Sequence, residues 1–158
     1  MESWNKSVLI APCGMNCGIC RGYLKEKSSY KIGVKRVLVK CPGCRGTNIG
    51  KPVYCVGCKI KNCKNLQKER AKYCFECQDF PCDRIKRLDK RYRTKYHMSM
   101  IENLEYIKDR GIRRFLKNEN ARWTCSQCDG KICVHDGFCV ECGKKTTKIS
   151  YKSILTKS

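Results

Sequence analysis

The sequence is short of the residues that build large apolar cores and active sites. It has two histidines, two tryptophans and four phenylalanines among 158 residues. Hydrophobic residues total 41%, so one large oil-drop core is not expected. No apolar run approaches the roughly 20 residues that cross a bilayer, and no membrane partner is expected. Residues 1–10 carry Glu2 and Asn5 around the short apolar run at 8–10, which does not read as a secretory signal. A cytoplasmic location is the resulting expectation. Repeated strand–helix units of a nucleotide-binding domain have no room between the cysteines. Neither histidine sits in an H-x-x-x-H or H-x-E frame, and the 14 acidic residues are scattered, mostly beside Lys or Arg. A base, a nucleophile or an open metal position is therefore not legible, and the chain reads as a non-enzyme with no catalytic residue.

What is abundant is cysteine and positive charge. The sixteen cysteines include six C-x-x-C pairs: Cys17/Cys20, Cys41/Cys44, Cys55/Cys58, Cys74/Cys77, Cys125/Cys128 and Cys139/Cys142. In a reducing compartment disulfides do not persist. Two thiolates on one tight knuckle grip a tetrahedral ion from one side, and a second pair closes the site. Three or more Zn²⁺ per chain are expected. The C-terminal pairs form the clearest site, a zinc ribbon with a short hairpin between its knuckles. Gly130 and Gly143 follow the knuckles, where positive φ is expected. Trp123, Ile132, Val134 and Phe138 are placed to cover the ion. Cys133 reads as a small buried hydrophobe and His135 as a hairpin-packing residue.

The N-terminal eleven cysteines resist partition. Sequential pairing joins Cys17/Cys20 to Cys41/Cys44 and Cys55/Cys58 to Cys74/Cys77. A cross-brace joins the first pair to the third and the second to the fourth. Cys13, Cys63 and Cys82 remain as further candidate ligands. His97 reads as a helix-terminal residue. Four-cysteine ligation also serves iron–sulfur clusters, so an Fe–S electron carrier is the alternative at these cysteines.

The fold expected is a small metal-stabilised α+β chain: a zinc-knuckle N-terminal part, a helical middle and a C-terminal zinc ribbon. Its expected divisions are residues 1–82 (metal-binding), 83–122 (helical, packing on the first), 123–145 (the ribbon) and 146–158 (a basic tail). Residues 34–39 and 149–154 are strand candidates, and 63–73 reads as a short helix. Ile85, Leu88, Tyr92 and Tyr96 lie on one helix face. Ser99 and Glu102 form a capping box that opens a second helix, and Gly111 ends it. Ile112, Phe115 and Leu116 start a third helix that ends at Arg122.

Read together, these elements resemble an uncharacterised cysteine-rich family of archaea and anaerobic bacteria, domain of unknown function 3795. The matching stretches are APCGMNCGIC at 11–20, CPGC at 41–44, CVGCKIKNC at 55–63, CFECQDFPC at 74–82, ENLEYIKDRG at 102–111, and 123–142. The resemblance spans nearly the whole length and implies metal binding. It also implies that Cys13, Cys63 and Cys82 belong to the family pattern.

Lys and Arg number 35, for a formal charge of +21. Three Zn²⁺ ions on twelve thiolates would leave about +15. Arg84, Arg87, Arg91 and Lys95 make a basic stripe on a face other than the apolar one. Lys64, Lys68 and Lys72 repeat at i, i+4, a spacing at which like charges repel unless a polyanion neutralises them. With Arg113, Arg114, Lys144 and Lys145 they are the candidate nucleic-acid contacts. RNA is preferred to DNA because no helix-turn-helix or Cys₂His₂ finger is present. Tyr23, Tyr30, Tyr54, Tyr73 and Tyr92 are candidates for stacking on unpaired bases. The functional expectation is a zinc protein on structured RNA, associated with the ribosome or another ribonucleoprotein; the alternative is an Fe–S protein of electron transfer or redox sensing.

Overall fold

The computed structural model describes residues 6–24 and 40–146. The strand candidates at 34–39 and 149–154, Tyr30, and all but the first residue of the 146–158 tail lie outside the described residues. Helix dominates what is described. Two short helices, α1 (Val53–Val56) and α2 (Lys64–Lys68), sit among the cysteines. Three longer ones follow: α3 (Asp83–Tyr96), α4 (Met100–Arg110) and α5 (Ile112–Trp123). Extended pairing among the described residues is limited to isolated bridges, three of them in the ribbon. The described part of the chain is therefore mostly helical, with few paired extended residues. None of its described helices is long and apolar enough to cross a membrane.

Helix α3 forms as its period predicts. Ile85 is fully buried, Leu88, Tyr92 and Tyr96 are half-buried, and Arg84, Arg87, Arg91 and Lys95 are exposed. It stops at His97, which turns left-handed at φ 53°. Helix α4 starts where Ser99 Oγ accepts the Glu102 N–H at 3.1 Å. The same hydroxyl donates to Asp89 Oδ1 at 2.6 Å, and Asp89 also takes the Ile101 N–H at 3.0 Å and pairs with Arg93 at 2.8 Å. A buried carboxylate on α3 thus fixes the start of α4. Gly111, at φ 81°, ends α4 and begins α5 without a loop between them.

Helix α2 is shorter than the 63–73 expectation. Arg70 adopts φ 51°, which ends the helical path, so Lys72 leaves the Lys64/Lys68 row. The row is therefore two residues long, and Lys72 instead donates its N–H to Glu76.

Two apolar clusters hold these parts together. One joins Leu9, Met15 and Ile19 to Met98, Met100, Trp123 and the ribbon residues Ile132 and Val134. The other joins Ile10 and Tyr73 to Ile85, Leu104, Ile107, Phe115 and Leu116. Each large apolar side chain buried this way contributes about 1.5–3 kcal/mol. Residues 9–16 feed both clusters, and polar bonds lock that loop. Asn16 Nδ2 donates to the buried Glu119 at 3.1 Å, and Asn103 Nδ2 to the Gly14 carbonyl at 2.9 Å. At Gly14 (φ +86°) a Cβ would meet Leu104 and the Met100 carbonyl at 3.0 Å.

Candidate metal centre

In the ribbon, α5 delivers Cys125 directly after Trp123 and Thr124. The Cys125 N–H bonds to Gly130 O at 2.8 Å, and the Cys139 N–H to Lys144 O at 2.9 Å, so both knuckles close in the same way. Ile132 N–H to Trp123 O, at 2.9 Å, and Val140 N–H to Lys131 O, at 2.8 Å, tie the knuckles together. The sulfurs of Cys125, Cys128, Cys139 and Cys142 all lie within 4.8 Å of one another. Cys125 and Cys142 are 3.8 Å apart, and Cys128 and Cys139 3.5 Å. A tetrahedron of metal–sulfur bonds of about 2.3 Å has edges of about 3.8 Å, so the four thiols fit a single ion.

The electrostatics agree with that donor set. Donation from the Gln127 N–H lowers the Cys125 thiol to about 7. At Cys128 the Gly130 N–H favours the thiolate, but desolvation and three neighbouring thiols push it up to about 12. Cys125 therefore loses its proton more readily than Cys128, whose thiolate a bound cation would favour. Cys133 stands apart: it is buried against Leu24 and Val140, and burial pushes its thiol up to about 12. His135 packs edge-on against Tyr92 and Tyr96 and is no part of the thiol set. Positive φ falls at Asp129 and Gly143, not at Gly130.

Among the described residues no other group of three or more donors closes to that spacing. The expected N-terminal ligands Cys17, Cys20, Cys41, Cys44, Cys55, Cys58, Cys74 and Cys77 are therefore not brought into closed four-thiol sets, and neither are Cys13, Cys63 and Cys82. The N-terminal thiols are nonetheless neighbours. Burial pushes Cys17 and Cys74 up to about 12 and Cys55 to about 11, and burial raises Cys13, Cys20 and Cys44 as well. The thiols whose charges act most strongly on Cys74 are Cys82, Cys63 and Cys77. Cys63 precedes α2 and Cys82 precedes α3, and Arg84 Nη1 stands 3.9 Å from the Cys63 sulfur.

Of the two pairings open to Cys58, with Cys74/Cys77 or with Cys17/Cys20, neither closes to single-ion spacing here. The Cys58 backbone is held in the turn after α1, where its N–H bonds to the Cys55 carbonyl at 3.3 Å and its own carbonyl takes the Asn62 N–H at 3.0 Å. The Cys58 thiol is half-buried, and its charge acts on Cys44 as well as on Cys74. Cys58 thus interacts with members of the second and fourth C-x-x-C pairs and completes a closed site with neither.

A family described as a protein of unknown function, DUF3795, matches residues 9–87. The chain belongs to that family. The DUF3795 match is about half of the chain, not nearly all of it, and residues 102–111 and the ribbon lie beyond it. All eleven N-terminal cysteines fall inside it. No curated protein and no solved structure matches the chain.

The basic residues of this DUF3795 chain are distributed over several elements. Lys64, Lys68, Arg113, Arg114, Lys144 and Lys145 are exposed, as is the α3 stripe. Arg84 is turned toward the Lys59 carbonyl at 3.5 Å, so part of its role is to brace the cysteine loop. Lys95 and Lys145 line one cavity of about 440 Å³ with Tyr96, Arg122 and Trp123. Arg122 is buried, donates to the His97 carbonyl at 3.1 Å and lies 4.9 Å from the Trp123 ring. Of the candidate stacking residues, Tyr54 is 79% exposed while Tyr73 is 5% exposed and enclosed in the core. Tyr92 is committed to His135 at 2.9 Å. The side chains that sequence reasoning missed are Lys51, Asp89 and Glu119, all buried and all bound to distant backbone or side-chain partners.

Proposed function

We propose that the protein is a non-catalytic, zinc-stabilised protein that binds structured RNA, as part of the ribosome or another large ribonucleoprotein. The observation that carries this reading is the exposed cationic face of α3, which leads into the cavity shared by Lys95 and Lys145. Among the described residues no carboxylate pairs with Arg87, Arg91 or Lys95. Their charges are free for phosphates, and the half-buried Tyr96 lines the cavity beside Lys95 and Lys145. Zinc suits the ribbon because four closed thiolates contribute folding energy and leave no open position for chemistry.

Affinity for RNA should be dominated by phosphate contacts and fall steeply with salt. The triple change Arg87→Glu, Arg91→Glu and Lys95→Glu should weaken binding at least tenfold with metal content unchanged. Arg84 is excluded from this test because it touches the Cys63 loop. Sedimentation of cell extract at low and high salt checks the assignment in the cell. A chain that stays at the top of the gradient in both conditions, with no RNA crosslinked, rejects the reading.

A second reading, an Fe–S protein of electron transfer or redox sensing, is favoured by the eleven N-terminal thiols, which are neighbours without closing to single-ion spacing. Stoichiometric iron and acid-labile sulfide in protein purified without oxygen would establish it over zinc at those cysteines.

A further inference from the structure

We infer that Cys17, Cys20, Cys41 and Cys44 form a second thiolate metal centre, independent of the ribbon. The inference rests on the metal-stabilised reading above and specifies where a second ion is held. Its basis is the way two C-x-x-C loops, twenty residues apart in sequence, are set against each other.

The first loop is a 3-10 turn at Cys17–Ile19, in which the Asn16 side chain accepts the Gly18 N–H at 2.9 Å. At one end of the pair, the Cys44 N–H reaches the Cys17 sulfur at 3.3 Å. The ribbon makes the same kind of bond, from the Gln127 N–H to the Cys125 sulfur at 3.5 Å. An N–H aimed at sulfur favours thiolate over thiol, which is what a metal requires. At the other end, the Cys41 N–H bonds to the Gly22 carbonyl at 3.2 Å. A Cβ on Gly22 would lie 3.9 Å from the Cys20 sulfur and 4.0 Å from the Cys41 sulfur, so both flank the same point. The loops therefore run antiparallel, with Cys17 opposite Cys44 and Cys20 opposite Cys41.

Two features hold the second loop in that place. Gly43, at φ +91°, lies so close to the first loop that a Cβ there would be 3.0 Å from Leu9 and 3.5 Å from the Cys17 Cβ. Lys51, 9% exposed, donates from Nζ to the Cys44 carbonyl at 2.8 Å and the Gly46 carbonyl at 2.6 Å. A buried ammonium fastened to the carbonyls of a thiol loop also offsets thiolate charge. No three of these sulfurs lie within 4.8 Å of one another, so metal binding draws the loops together. Four thiols that take up a divalent ion release four protons, and the centre carries two negative charges.

The ribbon lies alongside. Val134 N–H bonds to the Ile19 carbonyl at 3.0 Å, and Arg21 Nε bonds to Asp136 at 2.8 Å. Cys55, within α1, is the competing ligand, since the charges of Cys20 and Cys41 both act on its thiol.

The test uses the full chain purified without oxygen, with zinc, iron and sulfide measured per chain. Cys17→Ser with Cys44→Ser should remove one centre and leave the ribbon's metal in place. Cys128→Ser with Cys142→Ser should do the reverse, and Cys55→Ser should lose nothing. Wild-type metal content in the first variant, or loss of the same centre in Cys55→Ser, overturns the inference. If the first variant fails to fold, alkylation of the wild type decides. Cys17, Cys20, Cys41 and Cys44 should resist iodoacetamide until chelator is added, at least tenfold more than after it. Alkylation at the same rate before and after chelator overturns the inference. Wild-type protein with no metal at any site would reject the zinc reading as well, which distinguishes the two failures.

Discussion

A methyl group at Gly130 would lie 2.5 Å from the Glu141 side chain and 2.8 Å from the Cys139 sulfur. Gly130 is therefore required for space, since a side chain would push one knuckle off the other. Gly130→Ala should lower stability by about 1–3 kcal/mol and weaken metal binding at the ribbon. Gly137 is the contrast, with φ +69° and nothing within 4 Å of a Cβ. Gly137→Ala should cost about 1 kcal/mol from backbone strain alone and leave metal content intact. Thermal melts with metal analysis separate the two. His135 supplies a pH signature. The Arg21 N–H donates to its Nδ1 at 3.3 Å, so the ring proton is on Nε2 and points to Tyr92 Oη at 2.9 Å. Burial, then the charge of Arg21, hold its pKa below the ordinary value of 6.5. A depressed histidine is neutral in the fold and binds its proton more readily when unfolded. Its contribution is complete above about pH 6.5 and is lost as pH falls below that value. His135→Asn should flatten the dependence of melting temperature on pH from 7 to 6. An unchanged slope would show that the ring does not titrate as described.

At the scale of the element, α3 presents an apolar face to the core and a cationic face to solvent. Its inner row builds the core, and Arg87, Arg91 and Lys95 of its outer row are exposed, so charge reversal at these three should leave the melting temperature within about 2 °C. Asp89→Asn tests the inner face. It removes the charge that pairs with Arg93 and receives the Ser99 hydroxyl and the Ile101 N–H, and should cost about 1–3 kcal/mol. A loss no larger than that of the charge-reversed protein would contradict the anchoring role. The two faces of α3 were legible because Ile85, Leu88, Tyr92 and Tyr96 follow the helical period. Ser99, Glu102 and Gly111 likewise marked α4 through local capping chemistry. Arg70 gave no such signal: its left-handed turn ends α2 early, and nothing in the charge pattern of 63–73 announces it. Nothing in the sequence sets Asp89 and Glu119 apart from the other scattered acids, because their partners, Ser99 and Asn16, lie 10 and 103 residues away. The ribbon's four cysteines were legible from spacing. The grouping of the N-terminal eleven was not, because loop contacts such as Cys44 to Cys17, and the action of Cys58 on both Cys44 and Cys74, are not encoded in spacing.

Across the whole molecule, metal and apolar burial divide the work unevenly between the two clusters. The first takes Trp123, Cys125, Ile132, Val134 and Cys139 from the ribbon region and packs them on Leu9, Met15 and Ile19. The second, around Phe115, Leu104 and Ile85, contains no ribbon residue. Removing metal should therefore dismantle the first cluster and leave much of the second, since four uncompensated thiols cannot hold two knuckles together. In a Trp4→Phe background, chelator should shift the Trp123 emission to longer wavelength, because that indole passes from 9% exposed to solvated. Far-UV circular dichroism should retain a substantial part of the α3–α5 helical signal, now without a sharp melting transition. Cys125→Ser or Cys142→Ser should reproduce the emission shift without chelator. Restoring zinc should restore both signals in the parent and neither in the variants. If chelator leaves the full cooperative melt in place, the metal does not hold the fold. If it abolishes helix and Trp123 burial together in one step, the two clusters are a single unit and the division drawn from their membership is wrong.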